Sequence, residues 1–399
     1  MMDEVLSPAM VGLLPRPAWL SSLLATANVP EGAVLGQVWR QHTHFFYVRV
    51  ADADTDALIE TQAKANIKKE GQRIYVGDWV WMDQWDTANA TGRIVQVLPR
   101  QQLLEKTRVA NVGGCLVVAP LQQPELELAH VQRLLVLARL SGLQPTVVFT
   151  KADLATPEAL NHLETTRQAL QAFAGVESIV LGLHTPEATL QAWADAWQAQ
   201  HPLWVLAGVS GAGKSTLINR LNPSVKLKTA EVSAKLERGR HTTRHSELIR
   251  IRQQLFLADC PGFSQLQLPA IEPQAILPAF PELMTLTAGC GLGLACTHLH
   301  EPDCAVKPAL MEASPHTAWL QLTYEVYLEL RQQLEEAWQI LKQRSQKTTD
   351  AEGSTKQLAG GKGEQAKSVI RLNARHRERN RKTEKQRLRT HLPTEEEDD

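Results

Sequence analysis

The stretch Gly208-Val209-Ser210-Gly211-Ala212-Gly213-Lys214-Ser215 constrains this chain more than any other. It has the spacing of a phosphate loop. It follows a short apolar run, Trp204–Ala207, and opens a helical pattern, Ser215–Leu221. A strand, a glycine-rich turn and a helix in that order form one unit of a layered α/β fold, and this context separates a phosphate loop from a chance glycine cluster. The glycines let backbone N–H groups turn towards phosphate oxygens at a helix N-terminus, which already favours anions. Lys214 supplies positive charge at the β/γ position, and the Ser215 hydroxyl is a natural magnesium ligand, with Thr216 the next nucleotide contact.

Strands and helices alternate around this unit. Apolar runs at Cys115–Ala119, Thr146–Phe149 and Leu255–Ala258 read as buried strands. Glu125–Ser141 and Pro157–Ala174 carry apolar residues at helical spacing. The alternation predicts a doubly wound, largely parallel sheet over about residues 112–268. Ligands of such sheets bind beyond the carboxyl ends of the strands, and two further motifs stand there. Thr150-Lys151-Ala152-Asp153 follows the second run. A carboxylate at Asp153 accepts both N–H bonds of a guanine edge, whereas adenine leaves it unpaired; the stem of Lys151 covers the purine face. Asp259-Cys260-Pro261-Gly262 follows Leu255–Ala258. Asp259 is the expected holder of the Mg²⁺ shell, and the Gly262 amide the expected sensor of the γ-phosphate. Upstream, the polar loop Gly239-Arg240-His241-Thr242-Thr243 offers a threonine to complete that shell, assigned to Thr243 with Thr242 beside it.

The order of these motifs is unusual. An ordinary GTPase runs phosphate loop, switch threonine, DxxG and then the base reader; here 150–153 precedes 208–215 and DxxG comes last. The same sheet forms if its old termini are joined and the chain is opened elsewhere, which surface loops tolerate. The expectation is a GTP/GDP site with Mg²⁺ on a circularly permuted sheet.

Residues 31–110 read differently. Five short segments, Gly32–Arg40, Thr43–Val50, Leu58–Thr61, Arg73–Met82 and Gly92–Val97, suggest an all-β barrel of the OB type. Residues 1–30 read as an irregular lead, 111–268 as the GTPase domain, 269–345 as a zinc-binding and helical domain, with a helix over Ala318–Ser345, and 346–399 as linker, basic arm and acidic tip. Trp39, Trp79 and Trp81 suit either base stacking or a core on the barrel's second face. Lys64, Lys68, Lys69 and Arg73 suit either phosphate contacts or a solvated loop.

Cys290, Cys296, His298 and Cys304 offer three thiolates and one imidazole, a closed set for one structural Zn²⁺, with His300 as a rival ligand. Five cysteines with late clustering do not form a disulfide framework, so a reducing compartment fits. No apolar run approaches the roughly 20 residues of a membrane span. Asp3 and Glu4 without a basic lead argue against a secretory signal; a cytoplasmic protein with no membrane partner is expected. The formal net charge of −1 hides a basic arm, Lys362–Arg389, with eleven Lys/Arg against three Asp/Glu, and five acidic residues at Glu395–Asp399. The arm reads either as an RNA-contacting segment or as a solubilising tail.

Together these motifs resemble the circularly permuted, RsgA-type ribosome small-subunit-dependent GTPases. The resemblance covers about residues 32–340 and includes VGDWV at Val76–Val80, ANV at Ala110–Val112, RGRHTT at Arg238–Thr243, DCPGF at Asp259–Phe263 and CTHLHEPDCAV at Cys296–Val306. It implies an N-terminal OB barrel, a permuted GTPase and a C-terminal zinc module. It further implies binding to the small (30S) ribosomal subunit and its rRNA late in assembly, GTP hydrolysis stimulated by that subunit, and a chain that is monomeric when free. Phe263 stands where many GTPases carry a water-positioning glutamine, and the resemblance suggests His241 in that role, beside Lys214 and Gly262. The competing readings are an RNA-binding scaffold that uses GTP structurally, and a permuted GTPase acting on the large subunit. Three departures are visible. Thr150 replaces an Asn, removing an amide that braces the base loop. Five residues rather than four separate Cys290 from Cys296. No Ser-Ala base-backing signature stands around Ile179–His184.

Overall fold

The computed structural model describes residues 17–42, 45–51, 57–69, 71–86, 88–104, 107–225, 247–252, 254–259, 268–269 and 271–352. Five strands make the N-terminal barrel: β1 (Val34–Gln41), β2 (Phe46–Val50), β3 (Ile59–Ala63), β4 (Trp79–Asp86) and β5 (Thr91–Val97). β1 pairs antiparallel with both β2 and β4, β2 with β3, and β4 with β5, while β3 and β5 run parallel. That circuit closes the sheet, so inward residues of every strand share one apolar filling: Val38, Val48, Val50, Ile59, Val80, Met82 and Ile94, with Ile67 from the short helix α2 (Ala65–Lys69).

The fourth strand begins later than the sequence predicts, at Trp79 rather than Arg73. Gly77 turns the chain at φ +89°, where a Cβ would meet the Ala110 carbonyl oxygen at 2.1 Å. Only glycine allows both that dihedral and that approach. The turn locks two of the quoted motifs together. Asn111 donates to the Gly77 carbonyl (3.0 Å) and accepts from the Gln101 N–H (2.9 Å), and buried Asp78 holds Arg100 through two bonds of 2.6 and 2.8 Å. Burial still outweighs the guanidinium and raises the Asp78 carboxyl above its ordinary range. Trp79 and Trp81 are buried in the cluster outside the barrel, so their alternation serves the second face and not base stacking. The lead is not wholly irregular: α1 (Ala18–Leu24) is a helix whose Leu20 is fully buried in that same cluster.

Next come β6 (Leu103–Leu104) and β7 (Val109–Ala110), a small ladder, and then the α/β layer. Its strands are β8 (Gly114–Pro120), β9 (Gln144–Thr150), β10 (Ser178–Val180), β11 (Leu203–Ala207), β12 (Glu247–Arg252) and β13 (Leu255–Asp259). The spatial order is β10-β9-β8-β11-β13-β12, parallel except for β12. Helices α3 (Leu128–Leu140), α4 (Pro157–Ala174), α5 (Glu187–Gln200) and α6 (Lys214–Leu221) connect them. α4 is bounded as its sequence predicts: the Thr156 hydroxyl caps its start, Pro157 occupies its first turn, and Gly175 ends it at φ +61°. β12 pairs with β1 of the barrel through Arg40 and Glu247, so one sheet of eleven strands runs through both regions.

Beyond the layer, the helix Pro281–Thr287, two 3-10 turns, and the helix Thr317–Glu352 carry the cysteine region. Contacts divide the chain into Met1–Gln343 and Arg344–Asp399. In the first unit, Phe280, Leu283, Tyr327 and Leu330 pack with the cysteines. Of the second, the described residues are the continuation of the last helix to Glu352. Among the described residues no helix is long and apolar enough to cross a membrane.

Candidate functional site

The phosphate loop leaves β11 and enters α6. Gly208, Gly211 and Gly213 have φ of +145°, +78° and +93°, and a Cβ on Gly208 would stand 2.2 Å from the Val118 carbonyl oxygen of β8. The loop therefore lies against the neighbouring strand in a cradle that a side chain would fill. Lys214 folds over it, donating to the Gly208 and Val209 carbonyls at 2.8 and 2.7 Å; burial lowers its ammonium below the ordinary lysine range. Ser210 and Thr216 are exposed, Ser215 is half-buried, and Ala212 is buried. These features fit a nucleotide phosphate chain with its Mg²⁺.

The base-reading motif sits at the end of β9, two strands away, and the structure brings it to the loop. The Thr150 hydroxyl donates to the Ala212 carbonyl at 2.6 Å. The departure from Asn thus removes an amide but not a brace, because a buried hydroxyl ties the two loops directly. Lys151 takes a left-handed φ of +58°, and its ammonium donates to the Gln123 carbonyl. Asp153 Oδ1 accepts from the Leu183 N–H at 2.7 Å. This bond lies in the stretch Ile179–His184, where no Ser-Ala signature stands. Gly182 and Leu183 follow β10 after Leu181, and Arg220 of α6 clamps their loop through the Gly182 and Thr185 carbonyls at 2.8 and 2.5 Å. Sequence reasoning misses Gly182 and Leu183 because they contribute backbone groups, which residue type does not advertise, and Arg220 because its acceptors lie 38 and 35 residues away.

Asp259 ends β13, which runs parallel to β11 with Ala258 opposite Val205; its register position is therefore beside the start of the phosphate loop. His241, Thr242, Thr243 and Gly262 lie outside the described residues, as do the arm Lys362–Arg389 and the acidic tip.

The four predicted metal ligands do come together. The donor atoms of Cys290, Cys296, His298 and Cys304 all lie within 4.8 Å of one another, and all four residues are buried. His298 Nδ1 faces Cys304 Sγ at 3.5 Å and Cys290 Sγ at 3.7 Å. Its Nε2 meets Thr287 Oγ1 at 3.2 Å, and that hydroxyl donates to the Leu283 carbonyl at 2.8 Å. The network assigns the proton to Nε2 and leaves the Nδ1 lone pair for a metal. Burial pushes the Cys296 thiol up to about 11 and holds His298 below its ordinary range. The extra residue between Cys290 and Cys296 is absorbed by a 3-10 turn, Gly293–Ala295, with Gly293 at φ +50°. His300 is exposed and outside the cluster. Glu301 secures the loop by accepting from the Thr297, Leu299 and His300 amides, led by its bond to the Thr297 hydroxyl; these hold its carboxyl down at about 2. The residues fit a soft to borderline ion in a closed tetrahedral site.

A family model described as RsgA GTPase matches residues 96–269. The small ribosomal subunit biogenesis GTPase RsgA of Carboxydothermus hydrogenoformans is 35% identical over 275 residues, covering 69% of this chain and 90% of that protein. The chain belongs to the RsgA GTPase family. The RsgA protein of Trichormus variabilis, with the same description, is 33% identical over 337 residues, covering 83% of this chain and 84% of its own length. Two solved structures share the fold. YloQ, a circularly permuted GTPase, superposes with a TM-score of 0.63 at 25% identity over 78% of this chain and 99% of its own. YjeQ from Thermotoga maritima gives 0.61 at 26% identity over 76% and 98%. Membership of the family accounts for the permuted order of base reader and phosphate loop.

Proposed function

We propose that this chain hydrolyses GTP while bound to the small ribosomal subunit, assists late assembly of that subunit, and is stimulated by it. The bond from Thr150 to the Ala212 carbonyl carries this reading, because it unites the permuted base reader and phosphate loop in one site. The relatives named for small ribosomal subunit biogenesis support the partner.

In this reading Asp153 keeps the Leu183 amide on one oxygen and turns its remaining lone pairs to the guanine N–H groups. Lys151 covers the base. The amides of Gly208–Ser215 cradle the phosphates under Lys214, and Ser215, Asp259 and Thr243 hold Mg²⁺. Mg²⁺, when bound, neutralises charge on the β- and γ-phosphate oxygens. Thr242 and Thr216 line the phosphates, the Gly262 amide senses the γ-phosphate, and His241 orients the attacking water. Phe263 can do no such work, so hydrolysis by the free protein is slow; activating partners of GTPases restore roughly 10³–10⁵-fold. The Cys290, Cys296, His298, Cys304 set holds a structural Zn²⁺. Barrel (31–110) and zinc module (269–345) bracket rRNA, and the chain works as a cytoplasmic monomer when free.

Multiple-turnover phosphate release with and without small subunits tests the enzyme and its partner together. The expected outcome is a slow basal rate raised at least a hundredfold by small subunits and not by large ones. Turnover that small subunits leave unchanged overturns the partner. Asp153→Asn should shift preference from guanosine to xanthosine nucleotides; an unchanged preference overturns the base reader.

A further inference from the structure

Arg220 ties the helix of the phosphate loop to the turn beside Asp153. Lys214 begins α6 and Arg220 stands near its end, about 9 Å along the axis. The guanidinium donates from Nη1 to the Gly182 carbonyl at 2.8 Å and from Nη2 to the Thr185 carbonyl at 2.5 Å. The turn it grips is closed on itself. The Gly182 N–H donates to the Thr185 hydroxyl at 2.9 Å, and the Thr185 N–H to the Gly182 carbonyl at 3.2 Å. A planar fork that reaches two carbonyls fixes both the place and the orientation of the turn, which a single ammonium does not.

Asp153 leans on this turn. Its Oδ1 accepts from the Leu183 N–H at 2.7 Å, and a Cβ on Gly182 would stand 3.4 Å from both the Asp153 amide nitrogen and Oδ1. The Leu181 carbonyl accepts from the Ala152 N–H at 3.2 Å. The phosphate loop and its helix therefore hold the Asp153 loop twice: on one side through Thr150 and the Ala212 carbonyl, on the other through Arg220 and the turn. The simpler role for a cation in the last turn of a helix is to offset the helix dipole. That role needs no bond to two carbonyls of one turn.

We propose that Arg220 is a positioning residue for base selection: through the Gly182–Thr185 turn it holds Asp153 at the angle that lets the carboxylate accept from both the N1–H and the 2-amino group of guanine. This rests on the reading of Asp153 as the base reader. Hydrogen bonds weaken steeply as their angle departs from linear, so a reader that makes two of them depends on its aim. Because α6 also carries Lys214, one helix sets the separation between the phosphate end and the base end of the site. Without Arg220 the turn keeps its internal bonds but loses its tie to α6, and Asp153 loses its aim. A base that offers two donors suffers more from that loss than a base that offers one.

The test compares the affinities of the full chain for GDP and for IDP, whose hypoxanthine lacks the 2-amino group, by competition with a fluorescent GDP analogue. Arg220→Met, which keeps the apolar stem, should cut the preference for GDP over IDP about five- to tenfold. Arg220→Lys, which meets one carbonyl at a time, should fall between that variant and the parent. Thr185→Val opens the same turn without touching α6 and should lower the preference about twofold, which keeps the inference testable if Arg220→Met does not fold. A merely structural role weakens both nucleotides by one factor, so an unchanged ratio overturns the inference. On an Asp153→Asn background Arg220→Met should move the ratio no further, because it acts through Asp153; a full additional drop also overturns it. Asp153→Asn alone separates the two claims. If that variant leaves the ratio of the parent unchanged, the base reader falls and the inference with it; if it shifts the ratio while Arg220→Met does not, the inference alone falls.

Discussion

The nucleotide end of the α/β layer and the Cys290–Cys304 loop are both candidate ligand sites, but they are built by opposite means. The first is made by the sheet. Val118, Thr150 and Val205 are placed by parallel pairing of β8, β9, β11 and β13, and the phosphate loop lies against Val118 and Thr150. The second runs through a 3-10 turn and a histidine at φ +59°, and four polar donors crowd within 4.8 Å. Without an ion those donors are a liability, because buried polar groups need partners. The sheet frames the first site; the second, in the reading proposed above, needs an ion to satisfy its donors.

Stripping metals breaks or sharpens that contrast most directly. Cys296→Ser, or a chelator, should unfold the 290–306 loop while leaving the α/β layer intact. Structural zinc in small modules contributes on the order of 10 kcal/mol of apparent binding free energy. Hydrogen exchange resolved by segment reads the difference, and protection lost from both regions alike would end the contrast. Because burial pushes the Cys296 thiol up to about 11, binding an ion as thiolate displaces a proton. Zinc affinity should therefore rise as pH rises from 6 to 8, with proton release visible by calorimetry in buffers of different ionisation enthalpy.

Gly208→Ala strikes the opposite site. Its Cβ would overlap the Val118 carbonyl oxygen at 2.2 Å in a backbone conformation that alanine resists. A loss of about 3 kcal/mol is expected, with nucleotide affinity reduced at least a hundredfold and zinc content unchanged. Thr287→Val is gentler. It removes the partner that fixes the His298 tautomer, and loss of such support lowers metal affinity roughly 10–100-fold; competition with a colorimetric chelator measures it. The smallest effect belongs to Thr150→Val. It leaves the Ala212 carbonyl without its donor for about 1 kcal/mol, and nucleotide affinity should fall about fivefold by the same principle while Thr150→Asn stays close to the parent.

Much of this was legible in advance where chemistry is written in side chains. The phosphate loop, Asp153, and the Cys3His set are named by residue type and spacing, and the structure brings the base loop to the phosphate loop and the four metal donors to one point. Strong local patterns held too, as at Pro157–Ala174. What escaped was written in backbone or in weak pattern. β10 has three residues and β12 mixes charges with apolar residues; neither gives a clean period, and α5, with two tryptophans amid polar residues, is equally muted. Leu183 acts through an amide. The early helix Ala18–Leu24 lacks a side-chain cap and any acidic residue in its first turn, so its existence depends on burying Leu20 against elements distant in sequence. The Thr150 brace needed the fold, because the hydroxyl's acceptor lies 62 residues away.

The seam between β1 and β12 has a practical corollary. Strands at the margin of a sheet offer unpaired amides and carbonyls to other chains, and natural folds shield them. At one margin of the α/β layer stands β10, only three residues long; at the other, the barrel lies across β12. A shortened chain starting near Val112 would lose the pairing of Arg40 with Glu247 at that second margin. An unpaired margin is an invitation to pairing between copies, so such a truncation should be checked for self-association by sedimentation before its activity is read.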